Sequence, residues 1–78
     1  MTGSESQAKQ VAQKARNKAA AVTGDSRASH RLRDKYDGIA DGLEAAVRLC
    51  NGPVPERSTH WRLKLPGLIT DALERLEG

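Results

Sequence analysis

Apolar residues recur at alternating four- and three-residue steps in two consecutive segments of the chain. The first series is almost entirely alanine, whereas the second contains leucine, isoleucine and tyrosine. This spacing places each series along one side of an α-helix, the side on which helices pack against each other. The first series consists of Ala8, Ala12, Ala15, Ala19 and Val22, and the second of Leu32, Tyr36, Ile39, Leu43, Ala46 and Cys50. The pattern predicts two helices that pack through a thin, alanine-rich seam.

The start of the first helix is indicated by Ser4 and Gln7, which fit a capping box. Its end is indicated by Gly24, because glycine suits the left-handed position after a helix. The predicted first helix therefore covers residues 5–22 and follows an N-terminal tail at residues 1–4.

Asp25 or Ser26 can cap the second helix, which is predicted over residues 26–50. Because only a few residues separate the two helices, they are expected to form an antiparallel hairpin. Glycine and proline residues follow the second helix and predict a loop over residues 51–58.

Gly38 and Gly42 lie inside the predicted second helix, where each costs up to about 1 kcal/mol relative to alanine. One interpretation makes them, with Ala45 or Ala46, a small-residue groove in which the alanine-rich helix docks. In the other, the two Asp-Gly pairs loosen or break the helix. The apolar spacing passes through both glycines without a phase shift, which favours the groove.

The segment at 59–65 alternates polar and apolar residues, as a strand with one apolar face does. The alternation predicts a short extended segment closed by Pro66. An equally supported alternative is a helix, because the apolar positions from Trp61 to Leu76 also fit a 3.5-residue period. That helix would carry Pro66 in its interior at a cost of about 3 kcal/mol. With the extended segment, a short amphipathic C-terminal helix is expected at about 67–77; the helical alternative extends that helix back through Trp61.

The chain has 78 residues, enough for one small domain covering residues 1–78. Phenylalanine is absent and eleven residues are alanine, so the helices bury little apolar area per residue. Below roughly 80 residues a single core rarely supplies more than about 3–5 kcal/mol. The single cysteine cannot form an internal disulfide. We therefore expect an all-α, or nearly all-α, protein that completes its core with a partner protein or a second copy.

The C-terminal apolar segment is the expected contact surface for that partner. Aromatic side chains are typical interface hot spots, and Trp61 is the one tryptophan of the chain. A tryptophan buried in the chain's own core is the alternative. The predicted partner-binding residues are Trp61, Leu65, Leu68, Ile69 and Leu73. The sequence thus favours a non-enzymatic interaction or assembly protein.

Residues able to carry out catalysis or bind a metal are few and scattered. His30, Cys50 and His60 do not fall at the short spacings of zinc sites, and Cys50 is expected to be a small buried hydrophobe. Asp37 and Asp41 are one helical turn apart, as paired carboxylates are, but solvated acids on a helix surface explain them more simply. We expect no enzymatic activity, no cofactor and no metal.

Positive charge is concentrated in the first third of the chain. Residues 1–33 have a net charge of +5, against +3 for the whole chain. Such a surface can neutralise phosphates, so the alternative function is a nucleic-acid-binding regulatory or architectural protein. A solvated helix face is the simpler interpretation. The candidate phosphate-binding residues are Lys9, Lys14, Arg16, Lys18, Arg27, Arg31 and Arg33.

Nothing in the sequence indicates export or contact with a membrane. Residues 1–10 are polar, and no apolar run approaches the roughly 18 residues of a membrane span. Together with the single cysteine, this predicts a cytoplasmic protein. The excess of arginine over lysine, eight to five, and the abundance of alanine are typical of a GC-rich bacterial or phage genome.

Overall fold

The computed structural model describes residues 3–77, which form three helices joined by short turns and no strand. Helix α1 spans Gly3–Ala21, α2 spans Arg27–Cys50 and α3 spans Pro55–Glu77. Each helix packs on the other two, and the bundle measures 44 × 19 × 16 Å. The predicted all-α fold and the close packing of the first two helices are confirmed.

The two apolar series predicted from the sequence form most of the core. The four alanines of the first series are buried in α1, and Val22 is half-buried. Helix α3 covers this seam with larger side chains, so the chain closes a core of its own. The buried apolar residues of α3 are Leu65, Ile69, Ala72 and Leu76.

Leu32 departs from its series, since 38% of its surface is exposed. The end of α3 lies level with Lys18 and Tyr36. The Lys18 Nζ donates a hydrogen bond to the Leu76 carbonyl oxygen at 2.7 Å and lies 5.9 Å from the centre of the Tyr36 ring. The first turns of α2 therefore extend beyond α3, which leaves Leu32 uncovered.

The turn between α1 and α2 follows the predicted signals. Helix α1 ends at Ala21, one residue before the expected end, and Gly24 has a φ of +101° in the left-handed region. Of the two candidate caps, Ser26 is the one used. Its side chain accepts a hydrogen bond from the Ser29 backbone N–H at 3.2 Å. Local sequence therefore determines this turn.

Two predicted boundaries are wrong. The described chain is helical from Gly3 onward, so Ser4 lies inside α1 and does not cap it; residues 1–2 of the predicted tail lie outside the described range. Pro55 begins α3, so a helix replaces the second half of the predicted loop at 51–58. Proline is favoured at the first helical position because its φ is already helical and its missing N–H has no helical partner there.

Of the two interpretations of residues 59–65, the helix is confirmed and the extended segment is wrong, because α3 runs unbroken through Pro66. A strand would place Leu63 and Leu65 on the same side, but Leu63 is 78% exposed and Leu65 fully buried. Burying a leucine stabilises the fold by about 1.5–3 kcal/mol. Pro66 and Arg62 are both exposed, so the Arg62 carbonyl that lacks a helical donor faces water. Tertiary packing therefore outweighs the proline.

The helical course of α3 predicts opposite outcomes for two neighbouring leucines. Leu65→Ala should lower the free energy of unfolding by about 2–5 kcal/mol, because it removes a fully buried side chain. Leu63→Ala should change it by less than about 0.5 kcal/mol, as surface substitutions usually do. Urea unfolding followed by circular dichroism measures both. Equal losses for the two variants would contradict the helix.

Candidate interaction groove

An open groove of about 300 Å³ runs between α2 and α3, and no described residue of α1 lines it. Buried Ile39 and Leu43 of α2 and buried Ala72 of α3 contribute to its lining, together with half-buried Leu68. Asp71 and Arg75 of α3 also line it, so the groove is a mainly apolar depression with a charged edge that reaches down to the core of the bundle.

Gly38 and Gly42 line this groove from α2, and a Cβ built at either position would have no atom within 4 Å. The prediction that the alanine-rich helix docks on them is wrong, and so is the alternative that they break α2. The α1 side of α2 is marked by Glu44, which binds Arg16. Glu44 lies two residues from Gly42, roughly 200° of helical rotation. Gly42 therefore faces away from α1, and no atom of α1 lies within 4 Å of a Cβ built at either glycine.

Ala45 and Leu49 continue the line of the two glycines along α2. All four residues are exposed, none is charged, and they follow a four-three-four spacing. Leu49 exposes 39% of its surface. We call Gly38, Gly42, Ala45 and Leu49 the exposed seam. Sequence reasoning missed it because the small residues looked like part of the buried side; their own spacing was the signal.

Trp61 lies half-buried beside the core and lines the groove. Its ring meets the His60 ring edge-on, with 6.1 Å between their centres. The Lys64 Nζ lies 5.5 Å from the centre of the indole ring, a cation–π distance. Trp61 and Leu68 are thus the two predicted partner-binding residues that the structure places in the groove.

The other three predicted partner-binding residues lie elsewhere. Leu65 and Ile69 belong to the buried core of the bundle, so contact with a partner would require the helices to separate. Leu73 is half-buried and packs against the core without lining the groove.

Three of the seven candidate phosphate-binding residues are held by bonds within the chain. Arg16 pairs with acids of α2, and Lys18 donates to a carbonyl at the end of α3. Arg33 donates to two carbonyl oxygens of the α1–α2 turn, at 3.2 and 2.8 Å. The remaining four are exposed: Lys9, Lys14, Arg27 and Arg31. They do not share one site, because Lys9 lies roughly 18 Å along α1 from the turn that precedes Arg27.

Arg16 crosses from α1 to α2 and binds two carboxylates. Its Nη2 lies 2.8 Å from Glu44 Oε2 and 3.0 Å from Asp41 Oδ1, and its Nε lies 3.0 Å from Glu44 Oε1. The hydrogen bonds from Arg16 hold the pKa of Glu44 below its ordinary value, and those to Glu44 and then Asp41 raise the pKa of Arg16. Among residues 3–77, Arg16 makes the only ion pairs within 4.0 Å.

Cys50 is fully buried, as expected of a small hydrophobe. Burial raises the pKa of its thiol, the Glu5 carboxylate raises it further and Arg62 acts in the opposite direction. His30 and His60 are exposed. Within the described part of the chain, no three His, Cys, Asp or Glu side chains are grouped closely enough to hold a metal ion.

Comparisons with protein-family models, curated proteins and solved structures find no match to this chain. None of the helices α1, α2 and α3 combines the length and apolarity needed to cross a membrane. Function is therefore inferred from the residues themselves.

Lowering the pH should destabilise the folded bundle, partly because the ion pair of Glu44 with Arg16 is lost. Its pKa is lower in the folded chain than in the unfolded chain, so the ion pair stabilises the fold at pH values above the ordinary pKa of a glutamate. The contribution is lost as the pH falls through the folded-state value. Glu44→Gln should therefore flatten the fall in melting temperature between roughly pH 5 and pH 3.

Glu74→Gln is the matched control, because Glu74 is an exposed carboxylate without an ion pair among the described residues. Thermal melts at several pH values compare both variants with the original chain. A fall in melting temperature as steep in Glu44→Gln as in the original chain would contradict the role of this ion pair.

Proposed function

We propose that this chain is a non-enzymatic protein–protein interaction module that binds its partner through the α2–α3 groove and the exposed seam. The observation that supports it is an apolar groove of about 300 Å³ that stays open after the three helices have closed their core. Apolar surface of this kind, rimmed by polar residues, is typical of interaction sites.

The glycines of the exposed seam support the same proposal. Glycine inside a helix lowers stability by about 1 kcal/mol relative to alanine. Gly38 and Gly42 have no positive φ and no neighbour that a Cβ would meet, so the fold of the chain does not require them. A partner backbone that approaches α2 closely would require small residues at both positions.

The proposal places the protein in the cytoplasm of a bacterium or in a phage-infected cell. A single buried, free cysteine is compatible with a reducing compartment, where disulfides are rare.

The double variant Gly38→Gln/Gly42→Gln should lose partner binding without unfolding. Glutamine fills the space that a partner would occupy, and it is a better helix former than glycine, so the stability of the bundle should rise. The measurement is affinity capture with tagged protein from a nuclease-treated lysate of the native cell. A protein retained by the original chain should be lost with the double variant.

Ala20→Gln is the matched control for this capture, because Ala20 is an exposed residue of α1, which does not line the groove. It should retain every partner. If the double variant captures the same proteins as the original chain, the groove is not the binding site.

Nucleic-acid binding through the start of α2 is the second candidate function. The first turn of α2 contains no acidic residue, although the positive end of the helix dipole favours carboxylates there. Arg27, Arg31 and Lys35 instead form an exposed row at four-residue steps. A phosphate bound at this end would interact favourably with both the basic side chains and the positive end of the helix dipole.

If this candidate is right, the affinity for random duplex DNA should fall linearly with salt on logarithmic axes. Arg27→Gln/Arg31→Gln should lower the slope by about 2, since each phosphate contact contributes about 0.9. Fluorescence anisotropy measures both. The control variant Lys9→Gln removes an exposed basic side chain far from this row. Absence of binding by the original chain at low salt would exclude the candidate.

A further inference from the structure

We propose that the occupant of the groove is a second copy of this chain, with its α2 antiparallel to α2 of the first. This inference rests on the proposed function, because it assigns a partner to the same surface.

The exposed seam is symmetric about its own centre, which lies between residues 43 and 44. Gly38 and Leu49 are equally far from that centre, and so are Gly42 and Ala45. A two-fold axis there sets each Leu49 over Gly38 of the other copy, with the two small residues near the axis. Leu49, 39% exposed, then fills the space where a Cβ at Gly38 would meet no atom.

The charges of α3 are arranged so that the same two-fold axis places opposite signs against each other. Its first half, Pro55–Pro66, has a net charge of +2, and its second half, Gly67–Glu77, has a net charge of −2. None of these charges forms an ion pair within 4.0 Å among the described residues. Antiparallel pairing places each positive half against a negative half of the other copy, an arrangement that favours association.

Lys64 and Asp71 are the charges that this axis brings together. Lys18 lies against both the Tyr36 ring of α2 and the Leu76 carbonyl oxygen of α3, so Tyr36 and Leu76 are at about the same level, and the two helices run antiparallel. The centre of the seam is therefore level with a point of α3 between Lys64 and Asp71. The two residues lie on opposite sides of that point, each within roughly 7 Å of it. Lys64 of each copy then lies opposite Asp71 of the other copy, which makes two equivalent pairs.

A dimer that used the whole α2–α3 side of the bundle would reach the area of a standard interface. The long face of the bundle measures 44 by 19 Å, which is roughly 800 Å² in projection. A standard interface buries about 800 Å² on each partner. The chain also exposes 5327 Å², more than the roughly 4,600 Å² expected of a compact monomer of 8.4 kDa.

Sedimentation velocity over loading concentrations from about 10 μM to 1 mM should show a reversible monomer–dimer equilibrium. Gly38→Gln should raise the dimer Kd at least about tenfold while leaving the far-ultraviolet circular dichroism unchanged. Ala20→Gln should leave the Kd unchanged, because α1 lies outside the interface. A monomer at every concentration, or an unchanged Kd for Gly38→Gln, would overturn the proposal.

The charge pair tests the antiparallel arrangement. Asp71→Lys should weaken the dimer at least about tenfold, because it sets like charges together. The double variant Lys64→Asp/Asp71→Lys should restore the Kd to within about threefold of the original, because it exchanges the two signs. Weakening by the single variant without rescue by the double variant would overturn antiparallel pairing.

The capture described above separates this proposal from the proposed function. If the protein lost with Gly38→Gln/Gly42→Gln is the untagged chain itself, both self-association and the interaction function are supported. If the chain is monomeric and a different protein is lost, self-association is overturned while the interaction function stands. If no protein is lost, both fail.

Discussion

The packing of an alanine seam is the constraint on which this structure depends. Alanine lets α1 approach its neighbours closely, but each residue buries little apolar area, so a hairpin of α1 and α2 alone would be weakly stabilised. Helix α3 resolves this constraint. Its buried leucines and Ile69 cover the hairpin along most of its length and close the core within one chain. The need to bury these side chains also explains why α3 stays helical through Pro66, whose missing hydrogen bond falls on the exposed side.

This arrangement gives α2 three distinct sides. One side meets α1, where Arg16 binds Glu44 and Asp41, and a second side meets α3. The third carries the exposed seam and borders the open groove. A helix that already packs on two neighbours has no need of glycine on its third side. The bundle itself therefore does not require Gly38 and Gly42, and this is why we propose a partner outside the chain.

Part of the candidate site could be predicted from the sequence. Trp61 and Leu68 were expected to contact a partner, and both line the groove, whereas Leu65 and Ile69 had the same apolar character and are buried. Residue type alone cannot separate these two pairs, because all four lie on the apolar side of one helix. Whether each residue is buried or lines the groove depends on where α2 packs on α3. The glycines and Ala45 were assigned to the contact with α1, and Leu49 was not included, because the sequence does not show that larger side chains already cover the α1 side of α2.

The sequence by itself determined the features whose physical cause lies within a turn or two of chain. These are the apolar period of α1 and α2, the left-handed turn at Gly24 and a helix cap at Asp25 or Ser26, of which the structure uses Ser26. Only the tertiary structure decided the conformation of residues 59–65 and the side of α2 on which the glycines lie. Strand and helix both bury part of that segment, so the choice between them depends on whether Leu65 reaches a core built from distant residues. Local propensity carries no information about that core, because it forms only when all three helices pack.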